Sequence, residues 1–318
     1  MTRATARLGS GPDLSGILVP VVTPFDRETG DVDAPALVSN LEALLAEPIR
    51  GVVLAGSTGE GVLLAPEERL ALVRAARDVV PEDRILLAGT GLESTRATIR
   101  LTEAAARAGA DAVLVQPPSF YRVAMDVAAL SRHYRAVAAA SPVPLVLYQV
   151  PPRLSTIELR TALVVELSEL PNVIGVKDSR GDLDGLEAWV THAVRGFQVL
   201  MGEAGKLYAA LEIGATGGIL AVANLAPADA CEFHRAFREG RSAEAGRIQE
   251  RLGLLGRVVV GRLGVPGVKA AMDLLGMRGG APRPPLLPLD EEAVGQVRRA
   301  LETAGLAPGP VRPDMLIR

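Results

Sequence analysis

Asn172-Val-Ile-Gly-Val-Lys177-Asp178 is an apolar run of strand length that closes on a lysine, in a chain that otherwise writes its positive charge as arginine. Lysine occurs at positions 177, 206 and 269 alone, so arginine supplies the other 31 of the 34 basic side chains. Arginine stays protonated in proteins, whereas a desolvated lysine can give up its proton and attack a carbonyl as a neutral amine. A lysine at the end of a buried strand therefore suggests imine chemistry. The competing reading is a lysine that pairs with a carboxylate or binds a phosphate.

Seven further Val-, Ile- and Leu-rich runs resemble this one: 16–25, 51–57, 84–90, 112–118, 144–150, 197–203 and 217–224. They lack strict alternation, as strands buried on both faces do. Between them lie segments with helix-start signals, among them Pro66 before two acids, the Glu93-Ser94-Thr95 turn and Asp182. Eight strand–helix units without a dinucleotide fingerprint predict a (β/α)8 TIM barrel rather than an open doubly wound sheet. Helical patterns continue over 226–240, 242–262, 265–275 and 290–304, with a proline-rich connector at 282–288. The expected organisation is a flexible N-terminal tail over 1–15, a catalytic barrel over 16–225, and a barrel-closing helix with a helical C-terminal extension over 226–318.

Composition narrows the function. At 318 residues and 48% apolar content the chain can fill one large core. A net charge of -3 gives no footprint for nucleic acid or an anionic membrane, and no apolar stretch reaches the length of a span. The lone Cys231 has no intrachain partner, which fits a reducing, cytoplasmic setting. His133, His192 and His234 are far apart and lack paired metal-ligand spacing, so zinc-dependent aldol chemistry is disfavoured and no metal or other cofactor is expected.

In such a barrel the chemistry sits at the C-terminal strand ends. The second run leads into Gly56-Ser57-Thr58-Gly59-Glu60, where glycines allow a tight turn and expose amides beside two hydroxyls, a cradle for a carboxylate. An ordinary strand–helix turn would look the same. The fifth run carries Tyr148. If strands five and six are neighbours and Tyr148 points inward, its hydroxyl comes within a few ångström of the Lys177 amine, since adjacent strands lie roughly 5 Å apart. Alternation places Val173, Gly175 and Lys177 on one face and Asp178 on the other, so Asp178 is not the lysine's counter-ion.

Four motifs together resemble the pyruvate-dependent class I aldolases and lyases, the family that includes dihydrodipicolinate synthase and N-acetylneuraminate lyase. They are Gly56-Ser57-Thr58-Gly59-Glu60, Tyr148-Gln149-Val150-Pro151, Gly175-Val176-Lys177-Asp178-Ser179 and Gly264-Val265-Pro266-Gly267-Val268-Lys269. Segments 86–95, 129–134 and 265–273 are most similar to 4-hydroxy-2-oxoglutarate aldolase within it. The resemblance implies Lys177 as the Schiff-base residue, Tyr148 as proton relay, and Ser57 and Thr58 as holders of the α-carboxylate of a pyruvate-type 2-oxo acid. It also implies a homotetramer. Ser179 beyond the lysine, Gly202 after the seventh strand and Ala223 after the eighth are weaker site-lining candidates, which rigid loop packing would equally explain.

Two departures bear on the substrate. Phe120 stands where the family places a tyrosine that reaches into a neighbouring subunit, with Tyr121 next; either Tyr121 substitutes or the relay is incomplete. Arg153 stands where dihydrodipicolinate synthases bind the aldehyde's carboxylate, while a guanidinium can equally hold the distal carboxylate of 4-hydroxy-2-oxoglutarate. The expectation is cleavage of 4-hydroxy-2-oxoglutarate to pyruvate and glyoxylate. Its alternatives are condensation of pyruvate with aspartate semialdehyde, and a non-catalytic oxo-acid-binding or scaffold protein.

Overall fold

In a computed structural model, which describes residues 11–311 together with Met315 and Leu316, eight parallel strands close on themselves in sequence order. They are β1 (Gly16–Pro20), β2 (Gly51–Leu54), β3 (Ile85–Gly89), β4 (Ala112–Val115), β5 (Leu145–Gln149), β6 (Val173–Asp178), β7 (Gln198–Met201) and β8 (Gly217–Ile219). Helices α1 (Ala34–Leu45), α2 (Pro66–Arg77), α3 (Thr95–Arg107), α4 (Val127–Ala140), α5 (Thr161–Ser168), α6 (Leu183–His192), α7 (Leu207–Ile213) and α8 (Pro227–Arg238) follow the strands in turn. The chain is a (β/α)8 barrel. Beyond it run α9 (Ser242–Leu255), a π-helical stretch (Gly256–Arg262), α10 (Gly264–Leu274) and α11 (Glu291–Thr303).

The helix starts follow from local chemistry. Pro66 opens α2, where its missing N–H costs nothing, and the Glu68 carboxylate returns to accept from Ala65 N at 2.8 Å. The side chains of Ser94 and Asp182 accept from the backbone amides of Ala97 and Gly185, capping α3 and α6.

Two apolar layers hold the barrel. Between strands and helices lies the larger cluster; inside the barrel Leu14, Leu18, Val53, Leu87, Leu114, Val146, Leu200 and Ile219 form a second. Each such Leu, Ile or Val contributes about 1.5–3 kcal/mol by leaving water, so the lower barrel is a packed floor and no channel. Among the described residues no helix is long and apolar enough to cross a membrane.

Three expectations need correction. The strands are shorter than the apolar runs, because the residues after Pro20, Leu54 and Ile219 leave the sheet as loops while staying buried. Of the tail expected over 1–15, residues 1–10 lie outside the described residues. Leu14, however, is fully buried inside the barrel, and its amide donates to Gln198 Oε1 at 2.6 Å, so the packed chain begins before β1. Val173 does not share a face with Lys177. Leu145 pairs with Val173 but Val146 pairs with Gly175, and the extra residue, Ile174, turns inward while Val173 joins the outer layer.

Candidate active site

Above the apolar floor the barrel interior turns polar. Tyr148 on β5 and Lys177 on β6 are registered partners, and both side chains are buried. Neighbouring residues of parallel strands in register present side chains to the same face, and the Lys177 ammonium nitrogen lies 4.5 Å from the Tyr148 ring centroid. Tyr148 Oη and Ser57 Oγ are 3.0 Å apart and share a hydrogen bond. Lysine, tyrosine and serine from β6, β5 and the β2 loop thus adjoin in turn, the lysine against the face of the tyrosine ring and the serine at its hydroxyl. Among the described residues no carboxylate pairs with Lys177.

The loop carrying Ser57 is tightly bent. Ala55 and Glu60 both adopt left-handed backbone, at φ 51° and 55°, a conformation that costs a residue with a β-carbon about 1 kcal/mol or more. Close packing enforces it: a β-carbon on Gly61 or Gly89 would lie 2.1 or 2.2 Å from the Ala55 carbonyl oxygen. Glu60 Oε1 meets Lys269 Nζ at 2.5 Å with both side chains fully buried, and Oε2 accepts from the backbone N–H of Arg283 at 2.8 Å. Burial pulls the Lys269 ammonium down to about 8, against the opposing pull of Glu60.

On the neighbouring strand, Gly202 after β7 makes room for the lysine. A β-carbon there would approach Lys177 Cε to 3.1 Å and Ser179 Oγ to 2.1 Å, so Lys177, Ser179 and Gly202 meet. The Asp178 carboxylate points away and accepts from the amides of Arg180 and Gly181, forming the β6–α6 turn; burial raises its pKa. Gln149 also faces outward. It donates to the carbonyls of Val150 and Ile157 and accepts from Leu159 N at 2.6 Å, which fastens the loop bearing Arg153.

A cleft of about 520 Å³ opens over these residues, lined by Ser57, Glu60, Gln116, Arg153, Arg262 and Leu286 among others. Lys177 and Tyr148 are not on its walls; Ser57, on the wall, bonds Tyr148 below. Thr58 is half-buried beside Ser57. Ala223 is fully buried in the layer between strands and helices and does not line the cleft, because the short helical turn after β8 carries it outward. Phe120 and Tyr121, 79% and 73% exposed, stack edge-to-face on each other, with the Glu93 carboxylate accepting from the amides of Ser119 and Phe120. Neither lines the cleft.

Sequence reasoning missed the wall built by the C-terminal extension: Gly261 to Pro266 and Leu286 close one side of the cleft. The Gly264–Lys269 motif was the available signal. A second cleft, of about 550 Å³, lies at the opposite barrel end beside Cys231 and His234. Burial pushes the Cys231 thiol up to about 12, so it stays a thiol at neutral pH. Strand C-termini, not this end, carry chemistry in barrels of this kind.

Comparison with known proteins agrees with the geometry. The dihydrodipicolinate synthetase family profile matches residues 13–304. The 4-hydroxy-tetrahydrodipicolinate synthase of Methanothrix thermoacetophila is 36% identical over 287 residues, covering 90% of this chain and 95% of that one. Dihydrodipicolinate synthase DapA-2 from Bacillus anthracis superposes with a TM-score of 0.87 at 30% identity, over 92% of this chain and 98% of that one. The chloride-inhibited enzyme from Acinetobacter baumannii, solved in complex with pyruvate, gives 0.86 and 30%, over 92% and 99%. These relatives carry the synthase name, and the narrower likeness to 4-hydroxy-2-oxoglutarate aldolase finds no support among them. The chain belongs to the dihydrodipicolinate synthetase family, whose members are lyases and synthases of the class I aldolase type.

Proposed function

We propose that the protein condenses pyruvate with aspartate semialdehyde through an imine on Lys177. The observation that carries this reading is the buried Lys177–Tyr148–Ser57 constellation, which supplies an amine with no carboxylate partner among the described residues, beside a phenol that is hydrogen-bonded to a hydroxyl at the cleft wall. The amine attacks C2 of pyruvate. Tyr148, with Ser57 behind it, moves the protons that turn the carbinolamine into imine and water. Loss of a C3 proton gives the enamine, whose C3 attacks the aldehyde. Ser57 and Thr58 hold the α-carboxylate. Arg153, on the cleft wall, binds the carboxylate of the incoming aldehyde. The names of the relatives favour this substrate pair over the expected cleavage of 4-hydroxy-2-oxoglutarate.

Cleavage remains a second reading because of one residue. Phe120 replaces the relay tyrosine common in the family, and an altered relay suits an altered substrate. In our reading Phe120, Tyr121 and the 93% exposed Val123 meet a second copy of the chain, with Tyr121 reaching its site and the assembly a tetramer. Turnover assays decide the substrate. Pyruvate with aspartate semialdehyde is expected to react at least tenfold faster, in kcat/KM, than 4-hydroxy-2-oxoglutarate is cleaved, a margin of about 1.4 kcal/mol. The opposite order establishes the aldolase, and inactivity with both favours the non-catalytic binding protein.

A further inference from the structure

Lys269 is the second buried lysine of the chain, and the chemistry proposed for Lys177 makes no use of it. It sits on α10, outside the barrel, yet its ammonium reaches Glu60 at 2.5 Å. Glu60 closes the same five-residue turn that presents Ser57 to Tyr148: its amide donates to the Ser57 carbonyl at 3.2 Å, and Gly61 N donates to the Gly56 carbonyl at 3.0 Å. The turn keeps Glu60 in left-handed backbone, so its shape depends on what holds the Glu60 side chain. Among the described residues, its polar partners come from the C-terminal extension. Lys269 grips one carboxylate oxygen and the Arg283 amide the other.

The grip is itself fixed. Lys269 Nζ also donates to the Ala281 carbonyl at 2.8 Å and lies 4.4 Å above the Phe25 ring. Arg283 covers the same ring at 4.2 Å and pairs with Glu68 at 2.7 Å. Asp273, one helical turn beyond Lys269, accepts from Gly279 N at 2.9 Å and pairs with Arg27 at 3.7 Å. The extension that walls the cleft is therefore wired to the turn that holds the substrate's carboxylate.

We propose that Lys269 is a positioning residue: through Glu60 it sets the Ser57–Thr58 turn, so the C-terminal extension tunes pyruvate binding without touching pyruvate. This rests on the reading of Lys177 as the imine-forming residue and Ser57–Thr58 as the carboxylate cradle.

The test is borohydride trapping of the full-length protein over a range of pyruvate concentrations, with the adduct on Lys177 quantified by mass. Lys269→Met and Glu60→Gln are expected to raise the half-saturating pyruvate concentration roughly tenfold, within the 5–150-fold range of such couplings, with adduct at saturation unchanged. Since each single change also leaves a buried group without its partner, the double variant Glu60→Leu with Lys269→Met is the discriminating one. It is expected to regain thermal stability while keeping the raised half-saturation. Restoration of wild-type half-saturation in the double variant overturns the positioning role and leaves a structural pair. Unaltered half-saturation in the single variants overturns it as well. Absence of any Lys177 adduct in the wild type is a different failure, that of the imine reading itself.

Discussion

Two regions of this molecule bury a lysine and treat it in opposite ways. At the end of β6, Lys177 lies over the Tyr148 ring with Gly202 packed against its stem and, among the described residues, no carboxylate partner. On α10, Lys269 is equally shielded but meets Glu60 at 2.5 Å, a backbone carbonyl and an aromatic face. What separates them is the partner: a carboxylate pairs with Lys269 and joins two parts of the fold, whereas Lys177 faces a phenol ring whose hydroxyl bonds a serine. The first kind of lysine is architecture; the second is suited to chemistry.

The contrast can be broken most forcefully at Lys177. Replacement by Met is expected to lower kcat by about 10⁴-fold or more, the scale on which a nucleophile's loss is felt, while thermal unfolding shows an unchanged or higher Tm because a buried polar group gives way to an apolar one of similar length. A clear fall in Tm would say that Lys177 is structural after all. Next is Tyr148→Phe, which keeps the ring under the ammonium and removes only the proton relay. Steady-state assays should find kcat down by about 10²–10⁴-fold, with little change in KM.

For Lys269→Met the expected order of effects reverses. Stability drops by about 3–5 kcal/mol, since Glu60 is left buried and unpaired, and denaturant titration reads this directly. A loss below about 1 kcal/mol would mean that water reaches Glu60 and that the two lysines are less different than their surroundings suggest. Ser57→Ala sharpens the picture at the smallest scale. Losing the bond to Tyr148 and a contact to the substrate's carboxylate should cost about 1.5–3 kcal/mol, or roughly 10- to 150-fold in kcat/KM, without measurable unfolding.

The barrel was legible because parallel strands buried on both faces must be written as continuous apolar runs, and eight such runs leave few architectures. Their ends were not, since the chain stays apolar after Pro20 and Leu54 while it leaves the sheet. Counting by twos along β6 placed Lys177 and Gly175 inward but failed at Val173, where the register slips by one residue. Lys177, Tyr148 and Ser57 could be found because each lies at a strand end or in a glycine-bounded turn. The Gly264–Lys269 motif marked a segment of the wall, but the contacts of Lys269, Arg262 and Leu286 could not be read. Their contacts join parts of the chain remote in sequence, as in the bond from Arg283 N to Glu60, which spans 223 residues, and no local pattern encodes such a meeting. Ala223 misled for a related reason: its distance from β8 suggested the cleft, but the intervening turn points it into the core.

The central claim is that Lys177, the lysine of β6, forms the imine. Incubation with pyruvate, reduction with borohydride and peptide mapping test it most directly. A single reduced pyruvyl adduct on the peptide containing Lys177, and none on that containing Lys269, is the predicted result. An unmodified Lys177, or an adduct carried by Lys269 instead, would contradict it.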